Sequence, residues 1–234
     1  RLVDERVFYI VPTVNPDGRD FFLHGTGSGA RTGHVPVDSD GDGLFDEDGP
    51  DDLNGNGTIE QIRKYVPGEG DFRLSADDPR VMEPVPPGET GDWVILGSEG
   101  LDNDGDGRVN EDPPGGYDPN RNFGSDWQSS YIQGGAMHYP FELPESRAVN
   151  DFWMSHPNIA GVQSFHNSGG MILRGPGAAW QGTYPRADIM VYDELGENGE
   201  RILPWYDYLV IWQGLYTVHG GSIDWTNDGH GIIS

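Results

Sequence analysis

The sequence has no cysteine, few basic residues and no long apolar run. Without cysteine, no disulfide can stabilise the chain, so the fold needs another source of rigidity. Lysine and arginine number 14 against 39 aspartates and glutamates, which gives a formal charge of -25. So acidic a chain repels nucleic acid and anionic membrane surfaces, and neither is expected as a partner. No stretch approaches the roughly 18 apolar residues of a transmembrane helix, so no membrane span is expected.

The length of the chain and its first residues limit the class of protein. The 234 residues suffice for one large α/β domain around a single core. The chain opens at Arg1 without methionine or a signal peptide, as a mature or truncated exported product would. Calcium is abundant outside cells and suits the acidic loops described below. We therefore expect an extracellular (secreted) or periplasmic location.

Apolar periodicity predicts alternating strands and helices. Residues 6–18 form an apolar run that ends in Pro-Asp-Gly, which predicts a buried strand with a sharp exit. Residues 60–75 and 92–100 predict short strands or hairpins inside a long Gly-, Pro- and Asp-rich region. The chain ends on the apolar residues 232–233, which predict the start of another strand. These segments alone do not decide the order of the strands.

The second half of the chain predicts helices between buried strands. Residues 144–157 combine one apolar face with a proline stop, which predicts a helix. Residues 159–175 predict a strand, a turn and a second strand. Residues 186–203 predict a helix interrupted at Gly196 and Gly199, because glycine weakens helices. A helix between buried strands indicates an α/β fold with a mostly parallel or mixed sheet.

Two acidic segments, residues 38–48 and 102–112, repeat one pattern. Aspartate recurs at positions 1, 3 and 5, glycine follows at position 6, and an apolar residue occupies position 8. A third segment, residues 52–60, keeps the spacing with asparagine in place of some aspartates. Alternate carboxylates on a tightly turned loop converge on one point and suit calcium, which takes six to eight oxygen ligands. The predicted ligands are Asp38, Asp40, Asp42, Asp46, Asp52, Asn54, Asn56, Asp102, Asp104, Asp106, Asn110 and Asp112.

These loops match the EF-hand calcium loop only in part. Position 12 is Gly49 in the first loop and Pro113 in the second, where an EF-hand has glutamate. The sequence shows no paired flanking helices, so a calcium sensor is not expected. A solvated acidic turn is the alternative, and three copies of the pattern argue against it. We therefore predict a structural calcium-binding module.

Two further motifs carry residues suited to peptide chemistry. His166, in SFHNSGG, could ligate zinc through a neutral ring nitrogen, although a lone histidine is more often simply hydrogen-bonded. Arg121 beside Asn120, in DPNRNF, could hold a carboxylate with two hydrogen bonds, although a lone surface arginine rarely does so. Each motif is weak alone, and their order along the chain strengthens them.

That order resembles the zinc carboxypeptidase family of the carboxypeptidase A type. The motifs VNPDG, DPNRNF, PFELPESRAV, FHNSGGMIL and LYTVHGGSIDW follow one another as in that family, within residues 6–35 and 116–234. The resemblance implies a three-layer α/β/α sandwich with a mixed sheet, incomplete at both ends. Residues 1–36 and 117–234 would form this domain, and residues 37–116 a loop-rich calcium-binding insertion.

The resemblance also implies cofactors, a substrate class and roles for particular residues. His166 matches the family's third zinc ligand, so the resemblance implies zinc, in addition to the calcium predicted from the acidic loops. Asn120 and Arg121 match the pair that binds the free carboxylate of peptide or protein C-termini. An exopeptidase needs such a site to recognise a chain end, and a metal to activate the water that attacks the amide.

Three further residues match the family's active site. Tyr216 matches the tyrosine that closes over bound substrate, and Arg31 matches the arginine that stabilises the oxyanion. Ile223 matches the position that lines the pocket for the C-terminal side chain. An apolar residue there implies a preference for apolar or aromatic C-terminal residues.

Two features of the family have no match in this sequence. No His-x-x-Glu zinc motif occurs in residues 1–17, and no catalytic glutamate follows GIIS. Catalytic zinc normally has three protein ligands, so the isolated chain is expected to be inactive. The chain could be a fragment of a longer enzyme, one piece of an enzyme that further segments or self-assembly complete, or an inactive relative. In the last case it would be a calcium-stabilised structural or assembly protein.

One hypothesis joins the acidic loops to the peptide site. Residues 102–112 lie a few residues before Arg121 in the sequence. A calcium ion bound there would stiffen the segment that carries Arg121. The insertion could also form a wall of the substrate cleft.

Overall fold

The computed structural model describes residues 2–24, 35–166 and 169–233. Its α-helices are α1 (Leu2–Glu5), α2 (Pro16–His24), α3 (Pro144–Ser155), α4 (Arg186–Ile202), α5 (Ile211–Gly214) and α6 (Ser222–Asp224). Its strands are β1 (Gln61–Gly70), β2 (Phe72–Leu74), β3 (Met82–Pro84), β4 (Gly91–Ser98), β5 (Met171–Arg174) and β6 (Asp207–Val210). Short 3-10 helices cover Pro119–Arg121 and Ala179–Gln181, and a π-helix covers Trp225–Gly229.

The chain divides into two compact units, residues 17–116 and residues 1–16 with 117–234. Helices and strands alternate along the second unit, and the predicted α/β class is confirmed. Among the described residues, no helix is both long and apolar enough to cross a membrane. The unit of residues 17–116 ends where the predicted insertion of residues 37–116 ends, but it begins at residue 17 and not at residue 37.

An antiparallel sheet of four strands, in the order β1-β4-β2-β3, organises the unit of residues 17–116. The strands predicted in residues 60–75 and 92–100 are confirmed as β1, β2 and β4. Tyr65 pairs with Trp93 across β1 and β4, with ring centroids 5.0 Å apart, and the Arg63 guanidinium lies 4.9 Å from the Trp93 ring. Such cross-strand aromatic and cation–π pairs are a main source of stability in a small, half-exposed sheet.

Helix α4 packs closely on the parallel pair β5 and β6. A Cβ atom at Gly196 would collide with the Tyr208 ring, and one at Gly199 would collide with the Ile172 side chain. The predicted interruption at these glycines was wrong, because the helix runs unbroken from 186 to 202. The glycines cost helix propensity, about 1 kcal/mol each relative to alanine, but they allow the helix to approach the strands.

Helix α3 holds an aromatic cluster over the segment that carries Arg121. The prediction of a helix in residues 144–157 is confirmed, with proline at its start and its end just before Pro157. The ring of Phe123 stacks on Trp153 at 5.8 Å and meets Phe141 edge-on at 5.8 Å. Phe141 in turn meets Trp225 at 5.0 Å. These contacts anchor the residues just after Arg121 in the core.

The strands predicted in residues 6–18, in residues 159–175 and at the end of the chain form only in part. Residues 6–15 make no strand, and Ile10 is 83% exposed, so the buried strand predicted there was wrong. Helix α2 begins directly after them at Pro16, a favoured first residue of a helix. Of the two strands predicted in residues 159–175, only β5 forms. The end of the chain makes a single parallel bridge, between Gly161 and Ile233.

Candidate active site and acidic loops

Arg121 lies at the end of a capped turn and is almost fully buried. Asp118 caps the turn by accepting a hydrogen bond from the Asn120 backbone nitrogen at 2.8 Å. The Arg121 side chain is 5% exposed, and its Nη1 donates to the Asn120 carbonyl at 2.8 Å. The same Nη1 lies 3.8 Å from the Asp118 carboxylate. A guanidinium has five N–H donors, so these partners leave donor capacity for a carboxylate ligand.

The Gly220-Gly221 turn joins the Arg121 turn through two hydrogen bonds and one close approach of the backbones. The Phe123 nitrogen donates to the Gly220 carbonyl at 2.9 Å, and the Ser222 nitrogen donates to Asn120 Oδ1 at 3.0 Å. Gly220 has φ +62°, and a Cβ atom there would lie 2.6 Å from the Arg121 carbonyl oxygen. Only glycine fits this position without a shift of the backbone.

Asn120, Arg121 and Tyr216 lie together in the fold. Arg121 Nη2 donates to the Tyr216 hydroxyl at 3.3 Å, while the Tyr216 side chain is 49% exposed. Ile223, on α6, is half-buried. A buried cation beside a half-exposed tyrosine can receive a carboxylate that enters from solvent.

The other two predicted catalytic or metal-binding residues give no complete centre. His166 is exposed, at the end of residues 162–166. Arg31 lies outside the described residues. Catalytic zinc normally takes three protein ligands, and His166 is the one zinc ligand predicted from this sequence. The residues present therefore do not fit a complete zinc site.

A buried carboxylate next to Ile223 escaped the sequence analysis. Asp224 is 2% exposed and accepts hydrogen bonds from the Gly177 nitrogen, at 3.0 and 3.2 Å, and from the Tyr184 hydroxyl at 3.0 Å. Burial raises the pKa of Asp224, although these hydrogen bonds oppose the shift. Burial also raises the pKa of Tyr184, and the Asp224 charge adds to that shift. Asp224 thus ties α6 to the segment after β5.

A histidine in the Gly-Gly motif was also missed. His219 is 5% exposed, and its Nδ1 lies 2.9 Å from Asp126 Oδ2. The Trp180 ring stacks on the imidazole at 5.1 Å, and its Nε1 donates to Asp126 at 3.2 Å. No signal in the sequence identifies this group, because its members come from three distant segments. The group holds the residues between Tyr216 and Gly220 in place.

Each acidic loop folds around its first aspartate. Asp38 accepts hydrogen bonds from the nitrogens of Gly41, at 2.6 Å, and Gly43, at 3.1 Å. In the second loop, Asp102 accepts from the nitrogens of Gly105, at 2.7 Å, and Gly107, at 3.0 Å. All four glycines have φ between +88° and +98°, which explains why the motif requires them.

The third loop has the same turn but different side chains. Asp52 Oδ2 accepts from the Gly57 nitrogen at 2.6 Å, and this bond is the main cause of the lowered pKa of Asp52. Asn54 Nδ2 donates to Glu60 at 2.9 Å, and Asn56 Oδ1 accepts from the Thr58 nitrogen at 2.8 Å. The Asn54 and Asn56 side chains therefore already have partners within the loop.

Near the end of each of the first two loops, the side chain that joins the other carboxylates is not the predicted one. Asp46 Oδ1 accepts from the Val37 nitrogen at 3.1 Å, and Asn110 Nδ2 donates to the Ser98 carbonyl at 3.0 Å. The neighbouring Glu47 and Glu111 instead join groups of carboxylates that could hold a metal ion. The sequence pattern did not single out these glutamates.

Close packing of carboxylates perturbs the two glutamates. Burial raises the pKa of Glu111 to about 7, and the Asp48 and Asp106 carboxylates add to the shift. Burial raises the pKa of Glu47 as well, and Asp112 and Asp42 contribute. A bound cation would oppose both pKa shifts, because it favours the charged carboxylate.

Comparisons with known proteins agree with the motifs. A family model described as zinc carboxypeptidase matches residues 93–234, more than half of the chain. Among solved structures, the carboxypeptidase A of Helicoverpa armigera is 29% identical over 48% of this chain, with a TM-score of 0.39. The match covers 30% of that protein. No curated protein matches the chain.

Proposed function

Because this chain belongs to the zinc carboxypeptidase family, we propose that it recognises the free C-termini of peptides and proteins for removal of the last residue. The buried Arg121 is the observation that carries this proposal. Among the described residues, its guanidinium has one carboxylate neighbour, Asp118 at 3.8 Å, and one exposed partner, Tyr216. A peptide carboxylate would supply two charge-assisted hydrogen bonds in a fixed fork geometry.

The proposed preference is for apolar or aromatic C-terminal residues. Ile223 supplies an apolar surface at the position that lines the side-chain pocket in the family. The adjacent Asp224 is not free to bind a basic side chain, because Gly177 and Tyr184 already hydrogen-bond to its carboxylate. Its raised pKa also makes it a weaker partner for a cation.

Hydrolysis would require groups that this sequence does not supply. When bound, zinc polarises the scissile carbonyl and lowers the pKa of its water. His166 is one ligand, and the sequence has neither a His-x-x-Glu motif nor a matched general base. The direct test of the proposal on this chain is therefore binding of a C-terminal peptide. Arg31 would stabilise the oxyanion only where the zinc site is complete.

We assign calcium to the acidic loops and an exported location to the protein. The carboxylates of residues 38–48 and 102–112 offer several oxygens within the reach of one ion. Calcium takes six to eight such oxygens and is most available outside cells or in the periplasm. In a chain without cysteine, bound calcium would replace disulfides as the source of rigidity.

The acidic loops also support a second candidate function. A calcium-stabilised structural or assembly protein would keep the loops and have no use for the Arg121 site. The buried Arg121 next to Tyr216 instead favours the peptide site. Peptide binding separates the two, because a scaffold would not distinguish a free carboxylate from an amide.

The test measures binding of N-acyl-Gly-Phe and of its C-terminal amide by isothermal titration calorimetry. The free acid is expected to bind and the amide not. Arg121→Gln should weaken binding of the acid by about ten- to a hundredfold, the value of a lost hydrogen-bonded charge pair. Arg73→Gln, which removes an exposed arginine of the other unit, is the matched control and should bind as the wild type does. Equal affinity for acid and amide would refute the proposal.

A further inference from the structure

The first two acidic loops face each other as near-equivalent halves. Their last residues, Asp48 and Asp112, pair through an antiparallel bridge. Asp112 Oδ1 accepts from the Ser39 nitrogen of the first loop at 2.9 Å. Asp48 Oδ1 accepts from the Asn103 nitrogen of the second loop at 3.3 Å. Each of these two fully buried aspartates thus belongs by sequence to one loop and makes its contact with the other.

The carboxylates that could hold an ion come from both loops. Four groups of three carboxylates each have their oxygens within 4.8 Å of one another and mix the two loops. The four groups are Asp40 with Glu47 and Asp112, Asp104 with Glu111 and Asp48, Asp40 with Asp106 and Glu111, and Asp104 with Asp42 and Glu47. The groups correspond in pairs under exchange of the loops. One further group, Asp38 with Asp40 and Asp42, lies within the first loop and shares Asp40 with two of the mixed groups.

Unpaired buried oxygens point independently to an ion in this place. Asp112 is 0% exposed, and its Oδ2 has no hydrogen-bond donor, although it lies in the group with Asp40 and Glu47. Glu47 Oε2 and Glu111 Oε2 are also buried without a donor. A carboxylate oxygen buried among other carboxylates costs free energy unless a cation compensates it. The nearby cation, Arg108, has a 65% exposed side chain and reaches only Asp40, at 3.8 Å, and Asp106, at 3.5 Å.

We propose that residues 38–48 and 102–112 form one paired site for two calcium ions, in which each ion takes carboxylates from both loops. This inference rests on the proposed calcium binding and adds to it that the two ions bind or are lost together. Asp48 and Asp112 are then ligands in trans, and each closes the site of the opposite loop. One of the paired loops precedes the four strands of the antiparallel sheet in the sequence and the other follows them. The pairing would hold these two segments together.

The test counts tightly bound calcium ions by native mass spectrometry at fixed free calcium. Asp112→Asn is expected to lose two ions relative to the wild type, and Asp48→Asn the same two. The control Asp78→Asn changes a half-exposed carboxylate that pairs with Arg80 and should lose none. Loss of one ion or none from either loop variant would overturn the shared site and leave separate calcium loops standing. A wild type that binds no calcium would refute the proposed calcium binding itself.

A wild-type experiment decides the question if the variants do not fold. In crystals grown with calcium, the proposal predicts ions about 2.3–2.6 Å from carboxylate oxygens of both loops, with Asp112 among the ligands of the ion nearest Asp40. Ions held by residues of one loop each would overturn it.

Discussion

Arg121 Nη2 donates to the hydroxyl of Tyr216 at 3.3 Å and thereby links two turns that are distant in the sequence. The guanidinium is buried, whereas the tyrosine is half-exposed. The exposed partner can therefore leave when a ligand arrives, while the arginine keeps its contacts with the Asn120 carbonyl and Asp118. This relationship makes the carboxylate site testable through stability as well as through binding.

Tyr216→Phe should lower the free energy of unfolding by about 1 kcal/mol, because a buried guanidinium loses a hydrogen-bond acceptor. Saturating N-acyl-Gly-Phe should restore this loss, since its carboxylate supplies an acceptor to Arg121. The measurement is thermal unfolding with and without ligand. Tyr131→Phe, at a side chain 87% exposed, is the control and should change neither value. A ligand-induced shift no larger in Tyr216→Phe than in the wild type would contradict the role given to Tyr216.

Alanine variants of two glycines with nearly the same φ can separate the cost of a left-handed backbone from the cost of a close contact. Gly220 has φ +62° and Gly231 has φ +63°, but only at Gly220 would a Cβ atom meet another group, the Arg121 carbonyl at 2.6 Å. Gly231→Ala should cost about 1–2 kcal/mol for the left-handed conformation. Gly220→Ala should cost about 1–3 kcal/mol more, because the backbone must move. Urea denaturation of both variants gives the difference. Equal losses would show that the contact with Arg121 has no energetic weight.

The sequence predicted individual helices and loops better than it predicted which segments pack against them. The position of α3 followed from its apolar face and its prolines, which are local signals. The continuity of α4 did not follow, because the value of Gly196 and Gly199 lies in contacts with Tyr208 and Ile172 on the strands. Residues 6–15 show the opposite error, since their apolar composition predicted burial that the described fold does not provide.

The candidate site divides in the same way. The motifs identified Asn120 and Arg121, and the structure places Tyr216 beside Arg121. Motif spacing could not identify Asp224, because its partners lie in another segment. Nor could it show that Asp48 and Asp112 contact the opposite loops. Contacts between distant segments depend on the whole fold and leave no periodic trace in the sequence.

Asp224 should make stability depend on pH in a predictable direction. Burial raises its pKa in the folded state above the ordinary 3.8, so the folded chain holds this proton more tightly than the unfolded chain. The contribution is fully present below pH 3.8 and is lost as pH rises through the folded pKa. Asp224→Asn removes this titration and keeps an oxygen that can accept from Tyr184. Thermal unfolding from pH 4 to 7 should show the wild type losing stability relative to Asp224→Asn as pH rises. Parallel curves would contradict the raised pKa.

Removal of calcium should weaken the peptide site through the short segment between Asp112 and Asp118. Residues 113–117 are Pro-Pro-Gly-Gly-Tyr, so the connection is short and its first half is stiffened by proline. Excess EGTA should reduce the affinity for N-acyl-Gly-Phe by at least about fivefold, a typical coupling between two sites. Added calcium should restore it, whereas magnesium should not, because magnesium requires a tighter octahedral geometry and keeps its waters. Affinity that stays constant while the ions leave would show that the loops stabilise their own unit and do not act on Arg121.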